Sequence, residues 1–287
     1  MGNYNTLLLK PQQFPALLQE IPDPPKQLYL KGKLPDDDTK FLCVVGSRRY
    51  SPYGKEVCEG LIDGLRGYNI AIISGLALGI DGIAHRAALA AHLSTIAILG
   101  SGLDNAVLYP SSHRMLSKKI VESGGALLSE FEPDEEATVY TFPQRNRIMA
   151  GLSHAILVIE AAEKSGTLIT ARLALDYNRD VLTIPGSIFS KTSYGPHMLM
   201  RLGATPVTTS DDILEALNIE MSEKKQISRD SLSEREQVVL KLLDTPLQRD
   251  TLISELNMKV SEANILISAM EIKGLLIERL GEMHAVK

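Results

Sequence analysis

At 287 residues the chain has room for one large domain and a small appendage, taking a domain as roughly 150 residues. Its composition, 44% hydrophobic and 23% charged, is that of a globular protein with ample chain to bury a core. A net charge of −5 argues against a surface that grips nucleic acid all round, but it leaves room for a local basic pocket, because nearby charges dominate in salt.

Residues 1–40 are punctuated by Pro11, Pro15, Pro22, Pro24, Pro25 and Pro35, which predicts an irregular arm with one short helix near Ala16–Glu20. The opening "MGNYNTLLLKPQQFPALLQ" has no basic start ahead of a long apolar core, and no run of roughly 18 apolar residues follows anywhere. No membrane span and a cytoplasmic location are therefore expected. From Phe41 the pattern changes to short apolar runs: "FLCVV", "IAIIS", "TIAIL", "ALLSE", "AILVIE" and "DVLTI", with "PVTT" as a weaker seventh. Most are rich in β-branched residues, as strands buried on both faces should be. Amphipathic stretches lie between them. Ser51 and Pro52 are placed as N-cap and first helical residue before "YGKEVCEGLIDGL", and Ser111 as the cap before "SHRMLSKKIVESG". This alternation predicts an α/β fold over 41–218 with a doubly wound, mostly parallel sheet. Cys43 falls in a strand and Cys58 in a helix, where reduced packing residues are expected.

The polar, mixed-charge segment 219–232 reads as a linker. Beyond it, "SEREQVVLKLLD", "QRDTLISELN" and "SEANILISAMEIKG" predict three short helices and "LLIERLGEMHAVK" a hairpin, a small winged-helix-like domain over 233–287. Nine acidic against seven basic residues from Ser231 onward make this module a poor complement to duplex DNA, so protein contact is expected of it.

Ligands of open α/β sheets bind outside the carboxyl ends of the strands. The first strand leads into Gly46, Ser47, Arg48 and Arg49; the second into Gly75, Gly79 and Gly82; the third into Gly100, Ser101 and Gly102; and a later one into Lys164, Ser165, Gly166 and Thr167, which opens a helix. Glycine turns, helix N-termini and arginines on one rim favour an anion, phosphate above all. "FPQRNR" adds Phe142, Gln144, Arg145, Asn146 and Arg147. Pro143 is expected to start a helix with the arginines in its first turn, where cations oppose the helix dipole and require an anion. That anion is internal (Asp81, Glu130 or Glu160) or a bound phosphate, and one arginine is expected to do each job. Phe142 is either a helix staple or a platform for a base.

Several chemistries fail on their motifs. Gly46-Ser47-Arg48-Arg49 does not fit G-x-G-x-x-G. Gly54-Lys55 is followed by Glu56, and Arg49 stands where a P-loop needs its first glycine. Ser101 lacks a G-x-S-x-G context, and the six histidines form no close metal pair. No catalytic residue, cofactor or metal is expected. Asp81 and His85, four apart, are read as a first-turn acid and a histidine that it orients. "SGTLITA" is similar to the G-G-x-G-T-x-x-E turn of nucleoside-monophosphate phosphoribohydrolases, the alternative reading, but Thr170 replaces the glutamate that would do the chemistry.

Taken together, "VVGSRRYSPYG", "SGLALGIDGIAHRAAL", "AILGSGLD", "YP", "LLSE", "FPQRNRIMAGLS", "VIEAAEKSGTLITARLAL", "RDVLTIPG" and "LGA" resemble the bacterial DNA-processing family DprA, also called Smf, over roughly residues 10–217. The resemblance implies a Rossmann-like domain that binds single-stranded DNA and forms homodimers. It also implies protection of incoming strands in natural transformation, loading of RecA recombinase and displacement of single-strand-binding protein, without catalytic turnover. Carried onto this chain, the pocket uses Gly46, Ser47 and Arg48, then Arg145, Asn146 and Arg147, then Ser165, Gly166 and Thr167. Arg49, Gly75, Gly100, Ser101, Gly102, Phe142, Gln144 and Lys164 complete the expected DNA-binding set. Two departures stand out: His197 takes the asparagine place of a G-x-N-x-L-I-x-x-G-A motif, and "ATVYT" ahead of "FPQRNR" carries no positive charge.

Overall fold

The arm is more ordered than its prolines suggest. In the computed structural model, which describes residues 5–220, 233–243, 245–256, 258–272, 275–279 and 281–285, it forms β1 (Leu7–Leu9), the short helix α1 (Ala16–Gln19) and β2 (Leu28–Gly32). The helix lies where it is expected. The strands are a correction to the irregular arm: β2 lies between Pro25 and Pro35 and alternates, with Leu28 and Leu30 in one core and Tyr29 in another. It pairs antiparallel with β6 (Ala126–Ser129), and β1 pairs antiparallel with β2.

The predicted apolar runs form β3 (Lys40–Val45), β4 (Ile70–Ser74), β5 (Ser94–Ile98), β6, β7 (Ala155–Val158), β8 (Asp180–Thr183) and the two-residue β9 (Thr205–Pro206). These pair in parallel, and the sheet order is β1-β2-β6-β5-β4-β3-β7-β8-β9. The chain winds outward from β3 to β6, then returns to β7 on the other side of β3. The β3–β7 boundary is thus the topological switch point of a doubly wound, Rossmann-like α/β fold.

Helices α2 (Pro52–Asp63), α3 (Ile80–Ala90), α4 (Arg114–Glu122) and α8 (Ser210–Ala216) cover one face, while α1, α5 (Thr141–Leu152), α6 (Thr167–Asp176) and α7 (Tyr194–Arg201) cover the other. Side chains alternate along each strand accordingly: Phe41, Cys43 and Val45 pack under α5 and α6, Leu42 and Val44 under α2 and α3. Cys43 and Cys58 are buried free thiols, and burial pushes both up. Ser51 caps α2 as expected, its hydroxyl accepting from Gly54 N. Two helix starts differ from expectation. A 3-10 turn over Ser111–His113 precedes α4, so His113 rather than Ser111 occupies the cap position. α5 begins at Thr141, which makes Pro143 its third residue, a place where a missing N–H costs nothing.

Residues 1–220 and 221–287 form two compact units, and the expected linker lies from 221 to 232 outside the described residues. The second unit runs α9 (Glu234–Leu242), β10 (Leu247–Gln248), α10 (Arg249–Glu255), α11 (Val260–Ile272), β11 (Leu276–Arg279) and β12 (Glu282–Ala285). Its antiparallel sheet has the order β10-β12-β11 over a core that includes Val239, Leu252, Ile267 and Met283. This element order is winged-helix-like. The two-residue β10 is too short to leave a periodic trace in the sequence. Arg249 pairs internally with Glu271 and Glu278. No described helix is long and apolar enough to cross a membrane.

Candidate nucleic-acid interface

The first turn is shaped by what its neighbours leave room for. A Cβ on Gly46 would sit 2.7 Å from Ile80 Cγ1, and one on Gly79 would overlap the Ser47 carbonyl oxygen. Gly79 also has φ +84°, so α3 can start against this turn only with glycine there. Ile80 N donates to Ser47 O, and the Ser47 hydroxyl both accepts from Arg49 N and donates to Arg49 O. The turn is held by its own backbone, so the Arg48 and Arg49 side chains point outward. Both residues are exposed, and among the described residues neither makes an ion pair.

Thr167 Oγ1 donates to Gly46 O at 3.2 Å and so brings the start of α6 alongside. Lys164 and Gly166 are exposed there, while the Ser165 hydroxyl accepts from Thr167 N. The N-cap residue Gly166 offers no side chain, Leu168 N and Ile169 N turn back to the carbonyls of Ser165 and Gly166, and the first turn of α6 carries no acid. Gly46–Arg49 and Lys164–Thr167 thus form one positive strip in which a helix N-terminus adds its partial charge to three side-chain cations.

Phe142 borders this strip, half-buried. Arg48 Cζ lies 5.5 Å from its ring centroid, and the Tyr109 ring, 5.5 Å away, is tilted by 51°. A Cβ on Gly100 would sit 2.8 Å from Phe142 Cδ1, so Gly100 makes space for the ring. Tyr109 was not among the predicted site residues; its only signal is the short "YP" pair. Ser101 and Gly102 are buried behind the rim, with the Ser129 hydroxyl on Ser101 O and Gly102 N on Glu135 O. Their predicted place at a ligand surface is therefore corrected: they close the loop from within.

The two arginines of "FPQRNR" depart from expectation. Arg145 is 5% exposed, and its Nη1 donates to Gly75 O at 2.6 Å and Ile98 O at 2.5 Å, tying the ends of β4 and β5. It faces Asp81, whose carboxylate accepts from Gly75 N at 3.1 Å. Burial pushes the Asp81 carboxyl up, opposed chiefly by the Arg145 charge. A side chain on Gly75 would overlap the guanidinium, which is the reason for a buried glycine at that position. Arg147 pairs with Glu130 and with Asp23 of the arm. Arg147 meets internal carboxylates and Arg145 internal carbonyls, because α5 begins early enough to carry both inward past the rim. Asn146 Oδ1 accepts from Arg145 Nε, and Gln144 is exposed.

Asp81 does not orient His85. The histidine Nδ1 lies 2.7 Å from Thr95 Oγ1, which itself donates to Ile72 O, so Nδ1 carries the proton. Burial, helped by neighbouring cations, drives the imidazole down to about 3.

Glu160 plays a part that the spacing did not reveal. It follows β7, is 4% exposed, and accepts from Ser51 N (2.9 Å), Ser51 Oγ (2.6 Å) and Thr192 Oγ1 (2.8 Å). Its carboxylate lies at the N-terminus of α2, at the switch point, where a dinucleotide-binding fold would hold a pyrophosphate. Gly54 in the first turn of α2 has no Cβ because one would overlap that carboxylate. The site is filled from within, whereas the start of α6 has no carboxylate in its first turn and keeps its positive end facing the exposed Lys164. Among the described residues no cluster of three metal-ligating side chains forms, and Thr170 is buried. His197, in the asparagine place of its motif, contacts Gly186 O at 3.0 Å. The rim can therefore attract a polyanion and offer it flat aromatic surface.

Comparison with known proteins bears on what that polyanion is. Residues 5–218 match the family described as DNA recombination-mediator protein A. The chain is 42% identical to protein Smf of Escherichia coli (strain K12) over 215 residues, 75% of this chain and 57% of that protein. It is 44% identical to DNA processing protein DprA of Streptococcus pneumoniae over 203 residues, 70% of each chain. The X-ray structure of the Streptococcus pneumoniae protein superposes with a TM-score of 0.68 at 38% identity, covering 76% of this chain and 75% of that one. DNA processing protein A from Helicobacter pylori, whose structure is described in terms of its single-stranded DNA binding mode, gives a TM-score of 0.65 at 29% identity, covering 75% of this chain and 96% of that one. With a matching profile over most of its length and a relative above 40% identity, the chain belongs to the DNA recombination-mediator protein A family, known as DprA or Smf.

Proposed function

We propose that this protein binds single-stranded DNA along the strip formed by Gly46–Arg49 and Lys164–Thr167, with Phe142 at its border. The observation that carries this is the division of the cations: Arg145 and Arg147 are bonded within the fold, whereas Arg48, Arg49 and Lys164 lie exposed around the start of α6 and make no ion pair among the described residues. Phosphates supply the missing negative charge. The Helicobacter pylori relative's single-stranded DNA binding mode supports the same ligand. As a recombination mediator in the cytoplasm, the protein would protect incoming strands in natural transformation, help displace single-strand-binding protein and load RecA recombinase, working as a homodimer without catalytic turnover. The acidic C-terminal unit would serve protein contact.

The test is fluorescence anisotropy of a labelled 30-mer oligo-dT across a salt series. Wild type should bind, with log affinity falling against log salt by roughly 0.7 per phosphate neutralised. The triple variant Arg48→Ala, Arg49→Ala, Lys164→Ala should show a slope shallower by about 2 and retain its melting temperature. Failure of the wild type to bind at low salt would remove the proposal. RecA loading is checked separately, by the lag before RecA ATP hydrolysis on strands coated with single-strand-binding protein, and self-association by light scattering.

A further inference from the structure

Phe142 is not the aromatic that this rim presents to solvent. The Arg48 guanidinium lies over its ring, Gly100 fits against its edge, and Tyr109 leans on it. Phe142 is therefore flanked on both sides, and a base reaching its ring competes with Arg48 and Tyr109. Tyr109 is the open member: it is 47% exposed, and its hydroxyl has no hydrogen-bond partner among the described residues. It also lines a cleft of about 220 Å³, together with Ala106, Ser111, Arg114 and Glu136. Arg114, exposed at the start of α4, is steadied by a hydrogen bond from Nη2 to Ala106 O at 3.0 Å, and it makes no ion pair among the described residues.

We infer that Tyr109 and Arg114 form a second nucleotide subsite, in which a nucleobase stacks on the tyrosine ring within this cleft and its phosphate meets Arg114. The inference rests on the proposed binding of single-stranded DNA and extends it beyond the strip at Gly46 and Lys164. The strand would pass from Arg48 across the Arg48–Phe142–Tyr109 cluster to the start of α4. Every base offers a π-face, so this contact adds affinity without reading sequence. Because Phe142 already holds the tyrosine, little side-chain freedom is left to lose on binding. Glu136, on the same cleft, repels phosphate and so confines it to the Arg114 side.

The experiment uses the full chain and the same 30-mer in plain and 2-aminopurine-labelled forms, with wild type, Tyr109→Ala, Tyr109→Phe and Arg114→Ala. Tyr109→Ala should weaken binding roughly 5- to 100-fold, with its salt slope unchanged and the 2-aminopurine quenching reduced. Tyr109→Phe should bind as wild type does, because the ring rather than the hydroxyl carries the contact. Arg114→Ala should make the salt slope shallower by about 0.7. If wild type binds and Tyr109→Ala binds within twofold of it, this subsite is refuted while the binding strip stands. If wild type itself does not bind, both fall. Melting temperatures for each variant separate lost contact from lost fold.

Discussion

Glu160 holds Ser51 by two hydrogen bonds, from its backbone N–H at 2.9 Å and its hydroxyl at 2.6 Å, across a separation of 109 residues. The carboxylate thereby completes the cap of α2 and neutralises its positive end. Glu160→Ala would leave three donors without their acceptor, the two of Ser51 and the hydroxyl of Thr192. A loss of about 2–5 kcal/mol is expected in urea unfolding, from hydrogen bonds to a charged group and buried donors left unmade. Inorganic sulfate should restore more of the variant's melting temperature than it adds to wild type, by occupying the vacated helix end. Equal stability of variant and wild type would show that this cap carries no weight.

Arg145 carries the opposite lesson, since it resembles a DNA contact and is placed as an internal tie. Arg145→Ala strands the Asp81 carboxylate and the carbonyls of Gly75 and Ile98 in the interior. Two buried carbonyls left unmade, at about 1–3 kcal/mol each, predict a loss of about 2–6 kcal/mol in the same unfolding assay. Under conditions where the variant remains folded, its salt slope for oligonucleotide binding should equal that of wild type. A stable variant with a shallower slope would instead place Arg145 on phosphate.

Gly79→Ala tests whether the first turn is positioned by the start of α3. The new Cβ would sit at φ +84° and overlap Ser47 O, so the Ser47–Arg48 backbone must move. Strain of about 1–3 kcal/mol is expected, together with weaker oligonucleotide binding. Gly67→Ala is the control: it has φ +87° with nothing within 4 Å of a Cβ. It should show comparable strain with unchanged binding. Matching behaviour of the two variants in the binding assay would disconnect Gly79 from the rim.

Acid should destabilise the first unit through two histidines. Burial, aided by His113, Arg86 and Arg145, brings His85 down to about 3; burial, aided by Lys40 and Arg179, brings His154 down to about 4. An unfolded histidine takes up its proton near pH 6.5, so below that pH the unfolded chain binds protons that the folded one refuses. Stability present in full above about pH 6.5 is therefore lost as pH falls, toward about 4 for His154 and about 3 for His85. Asp81 and Glu130, both raised by burial, work in the opposite sense, because the folded state keeps their protons at a higher pH than the unfolded chain does. The unfolded histidines take up their protons inside the pH 5–7 window, whereas unfolded carboxyls titrate below it, so the urea midpoint should be lower at about pH 5 than at about pH 7. His154→Asn, which keeps an acceptor for Phe41 N, should narrow that difference. A midpoint that does not change between the two pH values would contradict this account.

What the sequence determined by itself is the local grammar of the fold. The β-branched runs became strands, Ser51 and Pro52 began α2, and the glycine turns fell at the carboxyl ends of a parallel sheet, with Arg48, Arg49 and Lys164 exposed there. Periodicity, capping and turn chemistry act over a few residues, so one sequence suffices to show them. Only the tertiary structure decided which charges are available. Arg145 meets the carbonyls of Gly75 and Ile98, Arg147 meets Glu130 and Asp23, and Glu160 meets Ser51 across long stretches of chain. The arm likewise became two strands because β6, about a hundred residues later, offered β2 its edge. Tyr109 entered the site for the same reason, a loop residue standing beside a phenylalanine that lies on α5. Whether a cation greets a phosphate or a buried carboxylate depends on separations of a few ångströms, and those are set by packing between segments distant in sequence.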